Sequence, residues 1–314
     1  MALKGHVSSP LVAIVGPTAV GKSDLALRLA QRLSAEIVNA DSRQVYRYMD
    51  IGTGKPTLEE RALVPHHVFD VVRPDEDFSL GTYRQLAANA IDDVRRGGHV
   101  PIVVGGTGQY VWSVVEGWNV PEVPPDSAFR VEMEERARSQ GHEAVHAELE
   151  RIDPEAAARI QATNVRRVIR ALELHRATGE MPSSLLWRKK GSSDGTLVLG
   201  VGMERPQLFA RADARVDRMV SLGFAAEVRA LMAGGYEPSL PSMSSIGYRE
   251  MYAHVRGESD LATAVEKTKV ETHRLIRRQH TWFRPLDERI TWIDGAESGR
   301  AFEEAMHHIR GATR

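Results

Sequence analysis

The sequence predicts an α/β fold in which helices flank a parallel β-sheet. Three observations lead to this prediction: short apolar runs alternate with segments of helical periodicity, a glycine-rich turn joins the first run to the first helical segment, and a long helical stretch follows a proline-rich segment. Alternating strands and helices favour a parallel sheet, because parallel strands need crossover connections that are usually helical. We expect an α/β core at 1–120 and 191–314, with an all-helical insertion at 121–190.

The composition is that of an ordinary globular protein. The chain has 314 residues, 42% of them hydrophobic, and a net charge of −1, so attraction to nucleic acid must come from local patches. It has no cysteine, which excludes disulfides and thiolate chemistry. No apolar stretch reaches the length of a membrane span, and the first ten residues lack the apolar core of a signal peptide. We therefore expect no membrane contact, a cytoplasmic location and a monomer.

The first strand, Leu11–Val15, leads into a complete G-x-x-x-x-G-K-S motif. The motif consists of Gly16, Pro17, Thr18, Ala19, Val20, Gly21, Lys22 and Ser23. A strand before it and a helical segment after it are the context that this phosphate-binding loop, or P-loop, requires. The sequence therefore predicts a diphosphate or triphosphate site in which Lys22 reaches the phosphate oxygens and Ser23 holds Mg²⁺.

The second strand, at 36–40, delivers Asp41, Ser42, Arg43 and Gln44 at its carboxyl end. Ligands of open α/β sheets bind beyond these strand ends, so we expect Asp41 to lie near the P-loop. The alternative is that Asp41 caps a helix that follows it. Spacing alone does not decide between the two.

The third strand, at 101–104, ends in Gly105-Gly106-Thr107-Gly108. The glycines do not complete a dinucleotide fingerprint, which argues against a Rossmann site. In P-loop hydrolases a strand of this kind ends in an acidic residue that helps to hold Mg²⁺. Because Thr107 is neutral, it can donate a hydrogen bond to a phosphate, and nucleotide hydrolysis is disfavoured.

Two further patterns do not predict sites. Gly54-Lys55-Pro56 lacks the first glycine and the hydroxyl residue of a P-loop, so a turn is expected and the role of Lys55 stays open. His66 and His67 with Asp70 offer too few ligands for a metal site, and His142 and His146 lack the acidic pattern of zinc proteases.

The insertion contains helical segments at 126–140, 142–151, 154–160 and 164–178. The last has apolar residues on one face and the cations Arg166, Arg167 and Arg170 on the other. These cations form either a nucleic-acid contact or an ordinary solvated face. Trp187-Arg188-Lys189-Lys190 adds an aromatic ring beside further cations, as suits phosphate contact or base stacking.

The remaining chain returns to the core. A strand at 196–201 precedes a helix that begins near Arg205, on which Arg211 and Arg215 share a face and can point two guanidiniums at a phosphate. A donor-rich loop follows at 241–249, then a helix at about 258–284 and a last strand at 290–293.

Taken in order, these motifs resemble one family, the tRNA dimethylallyltransferases. The matching segments extend over nearly the whole chain and comprise the P-loop, Asp41-Ser42 with Tyr46, Met49-Asp50-Ile51-Gly52-Thr53, Lys55-Pro56, Val104-Gly105-Gly106-Thr107, Arg170-Ala171-Leu172-Glu173, Gly247-Tyr248-Arg249, Arg278-Gln279 and Thr281-Trp282. The sequence departs from the family at Val20, where relatives often have serine, and at Gly108-Gln109.

The resemblance implies transfer of a dimethylallyl group from dimethylallyl diphosphate to the N6 amine of the adenosine on the 3′ side of the tRNA anticodon. The P-loop then holds the donor diphosphate with Mg²⁺, Asp41 is the base, and Thr107, Lys22 and Arg215 assist the leaving group. By analogy, the residues expected to contact the anticodon stem-loop are Asp41, Ser42, Arg43, Gln44, Thr107, Arg130, Arg166, Arg167, Val168, Ile169, Arg170, Ser244, Ser245, Ile246, Gly247, Tyr248 and Arg249.

Three other functions fit part of the pattern. A P-loop small-molecule kinase would use Arg211 and Arg215 in phosphoryl transfer. A nucleotide switch is disfavoured because the chain has no Asn-Lys-x-Asp motif. A prenyltransferase acting on free adenine nucleotides would share the chemistry but would not need a cationic insertion.

Overall fold

A single parallel sheet forms the centre of the fold. The computed structural model describes residues 10–118, 123–186 and 195–312. Within these ranges the strands are β1 Leu11–Val15, β2 Ala35–Asn39, β3 His66–His67, β4 Val100–Gly105, β5 Thr196–Gly202 and β6 Ile290–Asp294. Their order is β3-β2-β4-β1-β5-β6, and every pairing is parallel. The predicted α/β class is therefore confirmed.

The helices follow in chain order. They are α1 Lys22–Leu33, α2 Leu58–Leu63, α3 Leu80–Arg96, α4 Gly108–Val115, α5 Ser127–Gln140, α6 His142–Ile152, α7 Pro154–Arg159, α8 Val165–Thr178, α9 Pro182–Leu186, α10 Arg205–Ser221, α11 Phe224–Ala233, α12 Tyr248–Val255, α13 Leu261–Trp282 and α14 Ser298–Ala312. None of them, over the residues that the structure describes, combines the length and the apolarity that a membrane crossing needs.

The chain divides into two compact units. The smaller comprises Leu80–Thr82 and Glu116–Ser192, and the larger comprises the remainder. In the smaller unit, Phe129, Leu149 and Val168 belong to one apolar core shared by α5–α8. The side chain of Asp126 accepts a hydrogen bond from the Phe129 N–H and so caps the start of α5, which explains where this helix begins. The Trp187–Lys190 segment lies outside the described residues.

The sheet of the larger unit brings three loops to one edge. Strand β1 lies between β4 and β5 and is buried along its whole length. Val15 is aligned with Gly105, and Asn39 with Val104, so β1, β2 and β4 end at the same level. The segments that follow these strands, beginning at Gly16, Ala40 and Gly106, therefore lie side by side.

Several elements differ from the sequence prediction. No helix follows Asp41, because 40–57 is irregular apart from an isolated bridge at Tyr46. The expected loop at 241–249 contains a 3₁₀ turn, Ser242–Ser244, and the first residues of α12. Strand β3 and the helices α2, α4, α9, α11, α12 and α14 are not among the predicted elements.

Candidate active site

The P-loop has the backbone geometry that its two glycines permit. Gly16 has φ of +140°, and a Cβ at this position would lie 2.5 Å from the Val201 carbonyl oxygen. Gly21, immediately before α1, is left-handed with φ of +102°. Glycine is therefore favoured at both positions, at Gly16 because of strain and close approach and at Gly21 because of strain alone. Helix α1 begins at Lys22, so its N-terminal N–H groups lie within the loop.

Lys22 lies across the P-loop and has a lowered pKa. Its Nζ donates a hydrogen bond of 2.6 Å to the Pro17 carbonyl oxygen. Burial of the ammonium lowers the pKa of Lys22 to about 7; Asp41 opposes this shift, and Arg215 adds to it. A diphosphate anion bound beside Nζ would stabilise the charged form.

One cavity joins the P-loop to the ends of β2 and β4. Its polar lining includes Thr18, Lys22, Ser23, Asp41, Gln44, Arg215 and Gln279, and its apolar lining includes Leu27, Ile37, Phe69 and Val104. The P-loop cation, the Asp41 carboxylate and the Arg215 guanidinium therefore share a single space. The arrangement provides cations for an anionic group and a carboxylate for a proton.

Asp41 is held in a tight turn after β2. Its Oδ1 accepts a hydrogen bond of 2.8 Å from the N–H of Arg43, and its own N–H donates to Oδ1 of Asn39. Asn39 is buried and donates in turn to Val68, which fixes the turn. No helix begins here, so the helix-capping alternative is wrong. Among the described residues no hydrogen bond engages Oδ2 of Asp41, and this oxygen is available to a substrate.

Thr107 connects the end of β4 to the Asp41 turn. Its Oγ1 accepts a hydrogen bond of 3.0 Å from the Ser42 N–H, and its own N–H donates to the Ala40 carbonyl. A Cβ at Gly105 would overlap this same carbonyl, which explains the glycine. The Thr107 hydroxyl thus contacts Ser42, and Thr107 is absent from the side chains that border the cavity among the described residues.

Arg215 reaches the cavity from α10. Its Nη2 lies 3.4 Å from the Thr53 carbonyl oxygen, to which Gln44 also donates. Burial lowers the pKa of Arg215, and the Asp41 carboxylate opposes that shift. Arg211 is engaged differently, because its guanidinium donates to the carbonyls of Gly295 and Ala296. Arg211, Arg215 and Arg218 also border a second cavity, together with Ser23 of the P-loop.

The Asp50–Gly54 segment that contacts Arg215 is fixed by one carboxylate. Glu227 accepts hydrogen bonds from three successive backbone N–H groups, Asp50 to Gly52, and from the Tyr248 hydroxyl. The Lys55 side chain is only 2% exposed and pairs with Asp50 and Asp70. Lys55 therefore supports this loop from within.

The structure corrects part of the RNA-contact prediction at 244–249. The side chains of Ser245 and Tyr248 are buried, and each hydroxyl is bonded within the protein, to Ser242 and Glu227 respectively. These two side chains are held within the protein, so the RNA contact predicted at Ser245 and Tyr248 stays a prediction for their backbone atoms alone. Ser244 and Arg249 are exposed, Ile246 is half-buried, and Gly247 supplies a left-handed turn with φ of +90°.

On α8 the structure separates two kinds of residue. Val168 and Ile169 are 0% and 2% exposed in the helical core, so the prediction that they contact RNA is wrong for their side chains. Arg166 and Arg167 are exposed. The 3.6-residue period of α8 therefore puts Val168 and Ile169 on the core face and Arg166 and Arg167 on the solvent face.

Arg130 and Arg170 are engaged within the smaller unit. Both donate to Glu173, whose side chain is 2% exposed; Arg130 does so through two bonds of 2.8 and 2.9 Å. Burial raises the pKa of Glu173, but the two arginines outweigh it and hold the pKa below its usual value. These two cations therefore stabilise the joint between α5 and α8.

Ser23 and the histidines considered as metal ligands lie in different surroundings. Ser23 is exposed at the second position of α1 and borders both cavities. His67 and His99 each lie 2.6 Å from a Glu36 oxygen, and His146 contacts the carbonyls of Ala157 and Ile160. No cluster of three or more histidine, aspartate or glutamate side chains suited to a metal ion occurs in 10–118, 123–186 or 195–312.

One residue of the site has no role predicted from the sequence. Gln279, on the last turn of α13, borders the cavity and contacts the P-loop at Thr18. The sequence offers only its place in the Arg278-Gln279 motif. Gln279 and Thr18 are 261 positions apart, so no local sequence pattern indicates their contact.

Comparison with known proteins agrees with this arrangement. The sequence pattern of the family described as IPP transferase matches residues 44–285, and that of isopentenyl transferase matches 9–64. The tRNA dimethylallyltransferase of Chloroflexus aggregans is 49% identical over 93% of this chain and 98% of its own length. That of Roseiflexus castenholzii is 50% identical over 90% of this chain and 92% of its own.

Solved structures give the same result. The full-length tRNA isopentenylpyrophosphate transferase of Bacillus halodurans is 40% identical, with a TM-score of 0.71 over 97% of this chain and 96% of its own. A eukaryotic dimethylallyltransferase crystallised while acting on tRNA is 28% identical, with a TM-score of 0.84 over 98% of this chain and 80% of its own. Pattern, sequence and fold agree along nearly the whole chain, which belongs to the IPP transferase family, the tRNA dimethylallyltransferases.

Proposed function

We propose that this protein transfers a dimethylallyl group from dimethylallyl diphosphate to the N6 amine of the adenosine on the 3′ side of the anticodon in tRNA, and releases diphosphate. One observation carries the proposal: Asp41 borders the same cavity as Lys22, Ser23 and Arg215. A carboxylate beside a phosphate site suits a reaction at the carbon end of the phosphorylated ligand.

The acceptor needs help from a base. The N6 lone pair of adenine is delocalised into the ring, so its nucleophilicity increases as a carboxylate accepts the N6 proton. In the proposed step the N6–C1 bond forms, the C1–O bond breaks with its electron pair leaving on the diphosphate, and Asp41 takes the proton. The turn at Arg43 orients Oδ1 and leaves Oδ2 for this role.

The leaving diphosphate needs positive charge. Lys22, Arg215 and the N–H groups at the start of α1 supply it, and one well-placed donor of this kind can contribute about 3 kcal/mol to lowering the barrier. Thr107 acts less directly in this proposal, because its hydroxyl holds Ser42 beside Asp41. Asp41 therefore keeps its position while charge builds up at the other end of the cavity.

The residues present fit a magnesium ion bound with the donor. Mg²⁺ is usually held by one or two protein ligands together with substrate phosphates and water. The exposed Ser23 hydroxyl at the mouth of the P-loop matches this donor set. When bound, the ion would neutralise charge on the departing diphosphate.

The acceptor adenine must leave its stacked position in the RNA to reach Asp41. Extrusion of a nucleotide costs a few kcal/mol, which contacts to the neighbouring RNA must offset. Arg43 and Gln44 flank Asp41, and Arg166 and Arg167 are exposed cations of the smaller unit. These four residues are the ones we propose for tRNA.

Labelled dimethylallyl diphosphate tests the reaction. The protein is incubated with it and with tRNA, AMP, or tRNA lacking the target adenosine. We expect label only in intact tRNA. Labelling of AMP at a similar rate would instead favour a nucleotide prenyltransferase. Transfer of phosphate from ATP to a metabolite, without use of the prenyl donor, would favour a kinase.

A further inference from the structure

Gln279 joins two segments that line the cavity. Its side chain lies at the end of α13 and the residue is 6% exposed. Oε1 accepts a hydrogen bond of 2.8 Å from the N–H of Thr18 in the P-loop, and Nε2 donates one of 3.1 Å to the carbonyl of Gly106 after β4. A single amide thus bridges the diphosphate side of the cavity and the end of β4.

The glycines after β4 make room for this bridge. A Cβ at Gly106 would overlap Nε2 of Gln279, and one at Gly108 would overlap the ring of Trp282. The Trp112 indole N–H donates a hydrogen bond of 3.2 Å to the Trp282 carbonyl, which anchors the end of α13. The Gly106-Thr107-Gly108 sequence, which completes no dinucleotide motif, is therefore explained by the close approach of α13.

The bridge extends to the proposed base. Gly106 is followed by Thr107, whose hydroxyl accepts the Ser42 N–H, and Ser42 follows Asp41. A continuous series of short contacts therefore runs from the P-loop through Gln279 and the end of β4 to the Asp41 turn. Displacement at C1 needs the N6 nitrogen, the carbon and the leaving oxygen in line while Asp41 lies close to the N6 proton, so the separation of the two ends of this series matters for the rate.

We propose that Gln279 is a positioning residue that sets the separation between the P-loop and Asp41 for prenyl transfer, an inference that rests on the proposed function. The role requires one rigid group that accepts a hydrogen bond at one end and donates one at the other. An amide does this at any pH. A carboxyl group does it only while protonated, and a thioether does not do it at all.

Two variants separate positioning from simple loss of packing. Gln279→Met keeps the volume and removes both bonds, whereas Gln279→Glu can restore both bonds when protonated. Single-turnover transfer to tRNA is measured from pH 5.5 to 8.5 with both substrates saturating, each rate divided by the wild-type rate at the same pH. Val270→Ala, at an exposed position of α13, is the control.

We expect Gln279→Met to lower the saturated rate about 100-fold at every pH, with tRNA affinity unchanged. We expect the relative rate of Gln279→Glu to rise as the pH falls and its carboxyl group takes up a proton. A wild-type rate in Gln279→Met would overturn the proposal. A relative rate of Gln279→Glu that does not change with pH would also overturn it. If Gln279→Met does not fold, the result for Gln279→Glu decides the question by itself. No transfer by the wild-type protein would overturn the proposed function instead.

Discussion

At the scale of single residues, the lowered pKa of Lys22 predicts a pH dependence of diphosphate binding. Burial brings this pKa to about 7, and a bound diphosphate raises it again. Below pH 7 the ammonium is already charged, and binding needs no proton from solvent at this group. Above pH 7 binding takes up a proton, so affinity falls by at most about tenfold per pH unit. Calorimetric titration with inorganic diphosphate from pH 6 to 9 measures this slope.

Lys22→Arg is the control for that experiment. A guanidinium stays protonated throughout this range, while the titration of diphosphate itself is common to both proteins. We therefore expect the ratio of wild-type to variant affinity to fall above pH 7. A ratio that stays constant to pH 9 would mean that Lys22 is charged in the free protein. In that case burial does not lower its pKa as far as the structure indicates.

Asp41→Asn tests the base. Asparagine keeps an oxygen for the Arg43 N–H, so the turn is retained, but it cannot accept the N6 proton. We expect the single-turnover rate to fall by about 100- to 10,000-fold, with tRNA affinity nearly unchanged. The Asp41 carboxylate raises the pKa of Lys22, so its loss favours the neutral form of that lysine. The assay is therefore run below pH 7, where Lys22 is more fully protonated. Asp92→Asn on the exposed face of α3 is the control, and equal rates in the two variants would exclude Asp41 as the base.

At the scale of elements, the loop before α2 positions Arg215. Gly54 has φ of +60°, and a Cβ there would overlap Nη2 of Arg215. Gly54→Ala therefore displaces the guanidinium without altering the arginine. We expect diphosphate affinity to fall about 10- to 100-fold, as for loss of one hydrogen bond to a charged group. Gly257→Ala matches it in backbone strain, with φ of +77° and nothing within 4 Å, and equal affinity in the two variants would argue against Arg215 as a ligand.

The cations of α8 divide between folding and RNA contact. Reversing the charge of Arg170 would break its pair with the buried Glu173, so loss of tRNA binding in that variant would be ambiguous. Arg166→Glu with Arg167→Glu avoids this, since both side chains are exposed. We expect weaker tRNA binding and a salt dependence shallower by about one unit of log–log slope for each phosphate that the variant no longer neutralises. Arg300→Glu on α14 is the control, and an unchanged slope would leave the α8 pair as a solvated face.

At the scale of the whole molecule, local sequence patterns predict most of the fold but few of the contacts within the site. Each of the apolar runs that form β1, β2, β4 and β5 consists of consecutive residues, and so does the P-loop with its flanking strand and helix. Such local patterns are easy to recognise in a sequence. Strand β3 has two residues, both histidine, and offers no apolar run. Helix α14 does carry helical spacing, with Ala301, Ala305 and Ile309 buried, so the sequence contains a signal for it.

The contacts that shape the cavity are long-range. Gln279 meets Thr18 and Glu227 meets the N–H groups of Asp50–Gly52, across 261 and at least 175 positions. A motif also gives no sign of burial: Tyr248 and Val168 stand beside the exposed Arg249 and Arg167 in sequence, yet both are buried. A motif match therefore selects a segment, whereas packing decides which of its side chains meet a ligand.

Ligand binding links this site to the stability of the larger unit. A ligand at 100 times its dissociation constant adds about 2.7 kcal/mol to the free energy of unfolding, which for a chain of this size raises the unfolding midpoint by about 4 °C. Because Ser23 and the diphosphate are proposed to share Mg²⁺, we expect inorganic diphosphate to raise the midpoint more with Mg²⁺ than with EDTA. Differential scanning fluorimetry measures the shift.

Ser23→Ala should remove the magnesium-dependent part of that shift and keep the part that Lys22 and Arg215 provide. Ser221→Ala is the control, since its hydroxyl donates to the Arg218 carbonyl of its own helix. The wild-type protein in EDTA should then match Ser23→Ala in Mg²⁺. If EDTA leaves the wild-type shift unchanged, diphosphate is held by the protein cations alone, and the assignment of Ser23 to a metal is wrong.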